Sequence, residues 1–122
     1  MSVREEADAL LRVAVSPYRR VLQRRGVNQM PKVRAHVLIS GRVQGVMFRG
    51  YTVEAAYERG VRGWVRNTRD RRVEAVLEGE RKDVEDMIRW CHRGSPFSDV
   101  TAVDVQWLNY TGEFSEFSVR YS

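Results

Sequence analysis

From Val33 onward the apolar positions change period from one segment to the next, and each period predicts an element. Val33, Ala35, Val37 and Ile39 alternate with Arg34, His36, Leu38 and Ser40, the pattern of a strand with one buried face. After a loop containing Gly41 and Gly45, the residues Phe48, Thr52 and Ala55, flanked by Val53, Ala56 and Tyr57, have helical spacing. They predict a helix over 48–60, ended by Gly60 or Gly63. Gly63–Arg66 and Val73–Glu78 read as two strands joined by the polar stretch Asn67–Arg72, a hairpin by composition. Val84, Met87, Ile88 and Cys91 fall at i, i+3, i+4 and i+7 and predict a second amphipathic helix closed by Gly94 and Pro96. Val103, Val105 and Trp107 alternate again, and after the Asn109–Gly112 turn Phe117, Val119 and Tyr121 form a last short strand. The order β-α-β-β-α-β plus a terminal strand predicts an α+β, ferredoxin-like split βαβ fold, two helices covering one face of an antiparallel sheet.

The segment before Val33 has a different character. Leu10, Leu11, Val13 and Val15 lead into Ser16-Pro17 and the basic stretch Tyr18–Arg25, which suggests a short helix interrupted at Pro17. Gly26–Pro31 reads as a break, and Met30 is an alternative start. The chain therefore divides into a basic extension, residues 1–31, and a folded domain, residues 32–122. Charge supports the division. The net charge is +5, but residues 1–32 hold seven bases against three acids, and only fourteen bases face thirteen acids beyond them. The domain body is close to neutral, which speaks against nucleic acid as its partner. No apolar run approaches the roughly 20 residues of a membrane-spanning helix, and residues 1–15 lack the order of a secretory signal, so a cytoplasmic location without a membrane partner is expected. The single cysteine, Cys91, excludes an intrachain disulfide and is expected to pack in the core.

Two places carry candidate chemistry. Gly41-Arg42-Val43-Gln44-Gly45-Val46-Met47-Phe48-Arg49 runs from strand through a glycine loop into a helix start, the form of an anion cradle. Glycines let successive N–H groups turn toward one point, and the helix terminus adds partial positive charge. Arg49 in the first turn is unfavourable for the helix dipole, and its forked guanidinium suits a phosphoryl group. The plainer reading is a turn with a solvated arginine. Asn67, at the end of the second strand, is likewise by itself a common turn residue. A split βαβ fold, however, can bring 41–49 and 67 to one edge of the sheet.

These residues resemble a known family. Gly41-Arg42-Val43-Gln44-Gly45-Val46-x-Phe48-Arg49, followed by Gly63-Trp64-Val65-Arg66-Asn67-Thr68, Asp70 and Val73-Glu74, is similar to the paired signature of the acylphosphatases. The resemblance extends over residues 33–122, through Ala56, the Gly94-to-Pro96 break and the closing Phe117-x-Val119-Arg120-Tyr121. It implies a cytosolic, metal-free enzyme, with no cofactor, that cleaves small-molecule acyl phosphates into a carboxylate and inorganic phosphate. It also implies that the backbone amides of Gln44, Gly45, Val46, Met47 and Phe48 wrap the phosphate, that Arg49 neutralises it, and that Asn67 aims the water. A monomer is expected. His36 and His92 are assigned no role.

The departures from the family are few. Arg71 stands where glycine usually follows the hairpin aspartate, so the turn is expected to take a form that needs no positive φ there; Arg69, Arg71 and Arg72 would add a weak attractive field for anions. Met47 occupies a variable position and is expected to be neutral. Ser95 and Ser98 replace residues more often proline and alanine, changes that look structural. Three other functions compete. An RNA-binding module lacks its aromatic strand pattern here. A phosphate- or small-anion-binding module would keep the loop and Arg49 but have no use for Asn67. A domain working within a larger carbamoyl-transferring protein is the third, set against a chain that ends where the domain ends.

Overall fold

The computed structural model describes residues 31–121. The helix expected around Pro17 lies outside the described residues, as does the rest of the extension up to Met30. The elements are β1 (Lys32–Arg42), α1 (Phe48–Arg59), β2 (Arg62–Asn67), β3 (Val73–Glu80), α2 (Arg81–Arg93), β4 (Asp99–Leu108) and β5 (Phe117–Val119). They follow the predicted order. The sheet runs β4-β1-β3-β2-β5. All neighbours are antiparallel except β2 and β5, which pair in parallel, so the fifth strand makes the sheet mixed.

The period-two pattern of β1 does what it predicts: Ala35, Val37 and Ile39 are fully buried. They meet Val73, Ala75 and Leu77 of β3, Val65 of β2 and the inner faces of both helices in one core. Removing each of the valine, leucine and isoleucine side chains from water stabilises the fold by about 1.5–3 kcal/mol. α2 buries Val84, Met87 and Cys91 as its spacing foretells, and Trp90 in addition. The Trp90 ring lies 5.6 Å from that of Phe48, tilted by 56°. This contact fixes the first residue of α1, and with it the start of the loop that precedes the helix. Gly60 caps the other end of α1, its N–H directed at the carbonyls of Ala56 and Tyr57.

Gly63 sets how β2 approaches β3. At φ 141° a Cβ there would stand 1.8 Å from the Val76 carbonyl oxygen, so only glycine permits the pairing. The open face of the sheet carries ion pairs: His36 Nε2 lies 2.6 Å from Glu74, Arg66 donates to Glu74 (2.6 Å), and Arg34 donates to Glu78 (3.0 Å). Burial pushes the Glu78 carboxyl up. The Thr111 and Gly112 amides, Arg34 and the Thr111 hydroxyl outweigh it and hold the group below its ordinary value.

Val103, Val105 and Trp107 do lie on a strand, but β4 is an edge and Trp107 is 42% exposed, under the Arg81 guanidinium at 4.4 Å. The last strand ends at Val119, so Tyr121 leaves the sheet and is free to turn elsewhere. The hairpin turn does adopt a positive φ at Arg71, 71°, contrary to expectation. The Thr68 N–H donates to the Arg72 carbonyl (2.9 Å) and the Arg71 N–H to the Thr68 carbonyl (3.2 Å). Thr68 also bonds Asp70, which in turn receives Arg72 at 2.6 Å. This network over-determines the turn and holds Arg71 left-handed at a cost of about 1–2 kcal/mol.

Candidate active site

Between β1 and α1 the chain forms an arch with both feet in the core, Val43 and Phe48 being 1% and 2% exposed. Two left-handed residues bend it, Gly45 (φ 74°) and Met47 (φ 59°). Met47, expected to be neutral, thus holds a conformation that favours glycine, with its side chain left exposed. Alternation of ordinary and left-handed residues turns successive N–H groups to one side, the geometry of an anion nest. Among the described residues, no backbone hydrogen bond occupies the N–H groups of Gln44, Gly45, Val46, Met47 or Phe48; Tyr51 is the first α1 residue whose N–H donates, to Met47 (3.2 Å). The first turn of α1 holds no acidic residue. Ser95 supports the arch from behind, its hydroxyl donating to the Val46 carbonyl at 3.4 Å.

In front of the arch lies a cleft of about 420 Å³ lined by Gly45, Met47, Phe48, Arg49, Asn67 and Tyr121, among others. No histidine or carboxylate lines it. Arg49 has no ion-pair partner among the described residues; its guanidinium lies 5.4 Å from the centre of the Tyr121 ring, which sits over it while leaving the cation unneutralised. Asn67 is half-buried, and its Oδ1 is fully enclosed without a hydrogen-bond donor among the described residues. A buried acceptor of this kind is costly, and because water does not reach Oδ1 in this arrangement, it is the rest of the Asn67 residue that borders the cleft.

Of the residues singled out in the sequence, Gly45, Met47, Phe48, Arg49 and Asn67 come together in this cleft. Gln44 and Val46 do not line it. Val46 packs against the core. The side chain of Gln44 turns to the hairpin, where Nε2 donates to the carbonyls of Thr68 (2.9 Å) and Arg72 (2.8 Å). It ties the arch to the turn that follows Asn67, a role the sequence did not signal. Tyr121 was also missed as a site residue.

The sequence model of the Acylphosphatase family matches residues 35–119. The chain belongs to the acylphosphatase family. It is 55% identical over 92 residues to the acylphosphatase of Syntrophobacter fumaroxidans, covering 75% of this chain and 95% of that protein. It is 50% identical over 92 residues to the acylphosphatase of Pelotomaculum thermopropionicum, covering 75% of this chain and all of that protein. Among solved structures, the crystal structure of acylphosphatase from Bacillus subtilis superposes with a TM-score of 0.71 at 35% identity, over 73% of this chain and 99% of that one.

Within this acylphosphatase domain the other reactive groups are withdrawn from the cleft. Cys91 is fully buried in the core, as expected, and burial pushes its thiol up to about 12, so it is no nucleophile. His36 faces Glu74 on the open side of the sheet, and His92 is exposed at the end of α2, its Nδ1 3.1 Å from the Ile88 carbonyl oxygen. Asp70, beside the site in sequence, is engaged by Arg72 and Thr68, which hold its carboxyl at about 2. Among the described residues no helix is long and apolar enough to cross a membrane.

Proposed function

We propose that the chain hydrolyses acyl phosphates without a metal or cofactor, the N–H groups of Gln44 to Phe48 and the Arg49 guanidinium holding the phosphate while Asn67 aims the attacking water. The water oxygen bonds to phosphorus as the bond from phosphorus to the acyl oxygen breaks. The carboxylate leaves, and the water's protons pass to phosphate oxygens and solvent. A mixed anhydride has a good leaving group, so alignment and charge stabilisation suffice without a strong general base. The observation that carries this reading is the convergence in one cleft of the unneutralised Arg49, Asn67 and an arch whose N–H groups have no backbone partner among the described residues. A module that only sensed phosphate would have no use for Asn67 there, and membership in a family of acylphosphatases disfavours it.

The test is turnover of benzoyl phosphate by the purified full chain in the presence of a chelator. Arg49→Ala is expected to lose turnover by about 10³-fold together with inhibition by inorganic phosphate, and Asn67→Ala to lose about 10²–10³-fold in kcat while phosphate still inhibits. Retained kcat in Asn67→Ala would refute its role.

The remaining parts of this proposal concern context. The near-neutral domain body supports an enzyme without a nucleic-acid partner. The family resemblance supports a cytosolic enzyme with no membrane partner. A monomer is expected from light scattering. Residues 1–31 are read as an accessory extension to the domain at 32–122, and a chain beginning at Met30 is expected to keep full turnover.

A further inference from the structure

A second depression adjoins the first. It encloses about 460 Å³ and is lined by Arg66, Asn67, Thr68, Arg69 and Tyr121. Asn67 and Tyr121 line both clefts, so the two adjoin at these residues. No carboxylate lines the second depression, while two guanidiniums do. Arg66 is fixed in place, donating from Nε to Glu74 at 2.6 Å with its guanidinium 5.9 Å from the Trp64 ring centre. Arg69 has no ion-pair partner among the described residues. The nearest acid in sequence, Asp70, is already taken by Arg72 and Thr68.

We propose that this depression is a subsite for a carboxylate at the far end of the acyl group, so that the preferred substrates are monophosphates of dicarboxylic acids. The inference rests on the acyl-phosphate reading of the first cleft and extends it from the reacting end of the substrate to the other. Charge selects the carboxylate. Glu74 already balances Arg66, so one uncompensated cation remains, Arg69, which matches a single negative charge. A guanidinium also presents paired donors to a planar carboxylate.

The probes are 4-carboxybenzoyl phosphate and 4-methylbenzoyl phosphate, rigid substrates that cannot cyclise and differ in the distal group. The readout is the ratio of their kcat/KM values. Comparing that ratio between proteins cancels the intrinsic reactivity of the two anhydrides. The full chain is expected to show a ratio about tenfold higher than Arg69→Gln, the size of one partly exposed charge-assisted contact, with Arg69→Lys in between. Added salt should shrink the preference. Arg69 lies on an exposed turn, so its replacement leaves the core intact. A ratio that is the same within twofold in the full chain and Arg69→Gln overturns the subsite while leaving the hydrolase reading standing. Absence of turnover on both substrates overturns the hydrolase reading and the subsite with it.

Discussion

Gln44 offers a quantitative test of how the site is assembled. Its Nε2 donates two hydrogen bonds, 2.9 Å to the Thr68 carbonyl and 2.8 Å to the Arg72 carbonyl, bridging the arch and the hairpin. Gln44→Ala removes both. The Thr68 carbonyl still accepts from the Arg71 N–H, and the Arg72 carbonyl from the Thr68 N–H, so neither is orphaned. Each bond then contributes only its net value of about 1 kcal/mol, and the substitution should cost about 2 kcal/mol. For a domain of this size that is a fall of about 10 °C in Tm, or a lower urea midpoint at constant slope. Because the bridge holds the phosphate arch against the strand end that bears Asn67, kcat should fall by roughly tenfold, as expected for a loss of alignment rather than of chemistry. Gln44→Glu sharpens the test. It keeps the shape but sets a carboxylate oxygen against two carbonyl oxygens. Its protonated form regains one donor, so the folded state raises the new group's pKa; stability is present at low pH and lost as pH rises. Urea unfolding and benzoyl phosphate kinetics on both variants check this. A Gln44→Ala protein within about 0.5 kcal/mol of the parent, with unchanged kcat, would refute the bridge.

Other perturbations follow from single features. Arg71→Gly relieves a left-handed residue at about 1–2 kcal/mol but adds unfolded-chain entropy of about 0.5–1, so a gain of about 0.5–1 kcal/mol is expected by urea denaturation; a loss would contradict the strain at that turn. Gly63→Ala drives a Cβ to 1.8 Å from the Val76 carbonyl oxygen and should cost more than about 3 kcal/mol, so a variant with the parent's Tm would contradict the β2–β3 geometry. Glu74 and Glu78 are held below their ordinary value of 4.5, burial opposing and their His36, Arg34, Arg66 and Thr111 partners prevailing. Their contribution to stability is present above that value and lost as pH falls through the folded-state values. Glu78→Gln should flatten this acid limb of the unfolding midpoint, and an unaltered limb would exclude Glu78 as a source.

The elements with a clean period were legible in the sequence: β1 by alternation, α1 and α2 by helical spacing and their closing glycines. Edges were less so. Trp107 alternates correctly yet stays half in water, because periodicity reports the face of a strand and not its place in the sheet. Arg71 misled because a residue type argues against a positive φ only locally, whereas the hydrogen bonds of Thr68, Asp70 and Arg72 impose it from around. At the site, Arg49 and Asn67 were found by motif, and the fold puts them in one cleft. Gln44 was counted for its backbone, and nothing in its neighbours indicated that its side chain would cross to residues 24 and 28 positions away. Tyr121 lay in plain view of the strand pattern, but its turn toward Arg49 depends on β5 ending at Val119. The +5 charge lies mostly in the extension and owes little to the cleft; what matters there is a guanidinium without a counterion among the described residues.

The most direct test of water attack at a held phosphate is hydrolysis of benzoyl phosphate by the full chain in ¹⁸O-labelled water. Label is expected in the inorganic phosphate, because the water aimed by Asn67 bonds to phosphorus and the original acyl oxygens leave with the benzoate. Label in the benzoate would mean attack at the carbonyl carbon and would contradict the assignment of Arg49 and Asn67 to phosphoryl transfer.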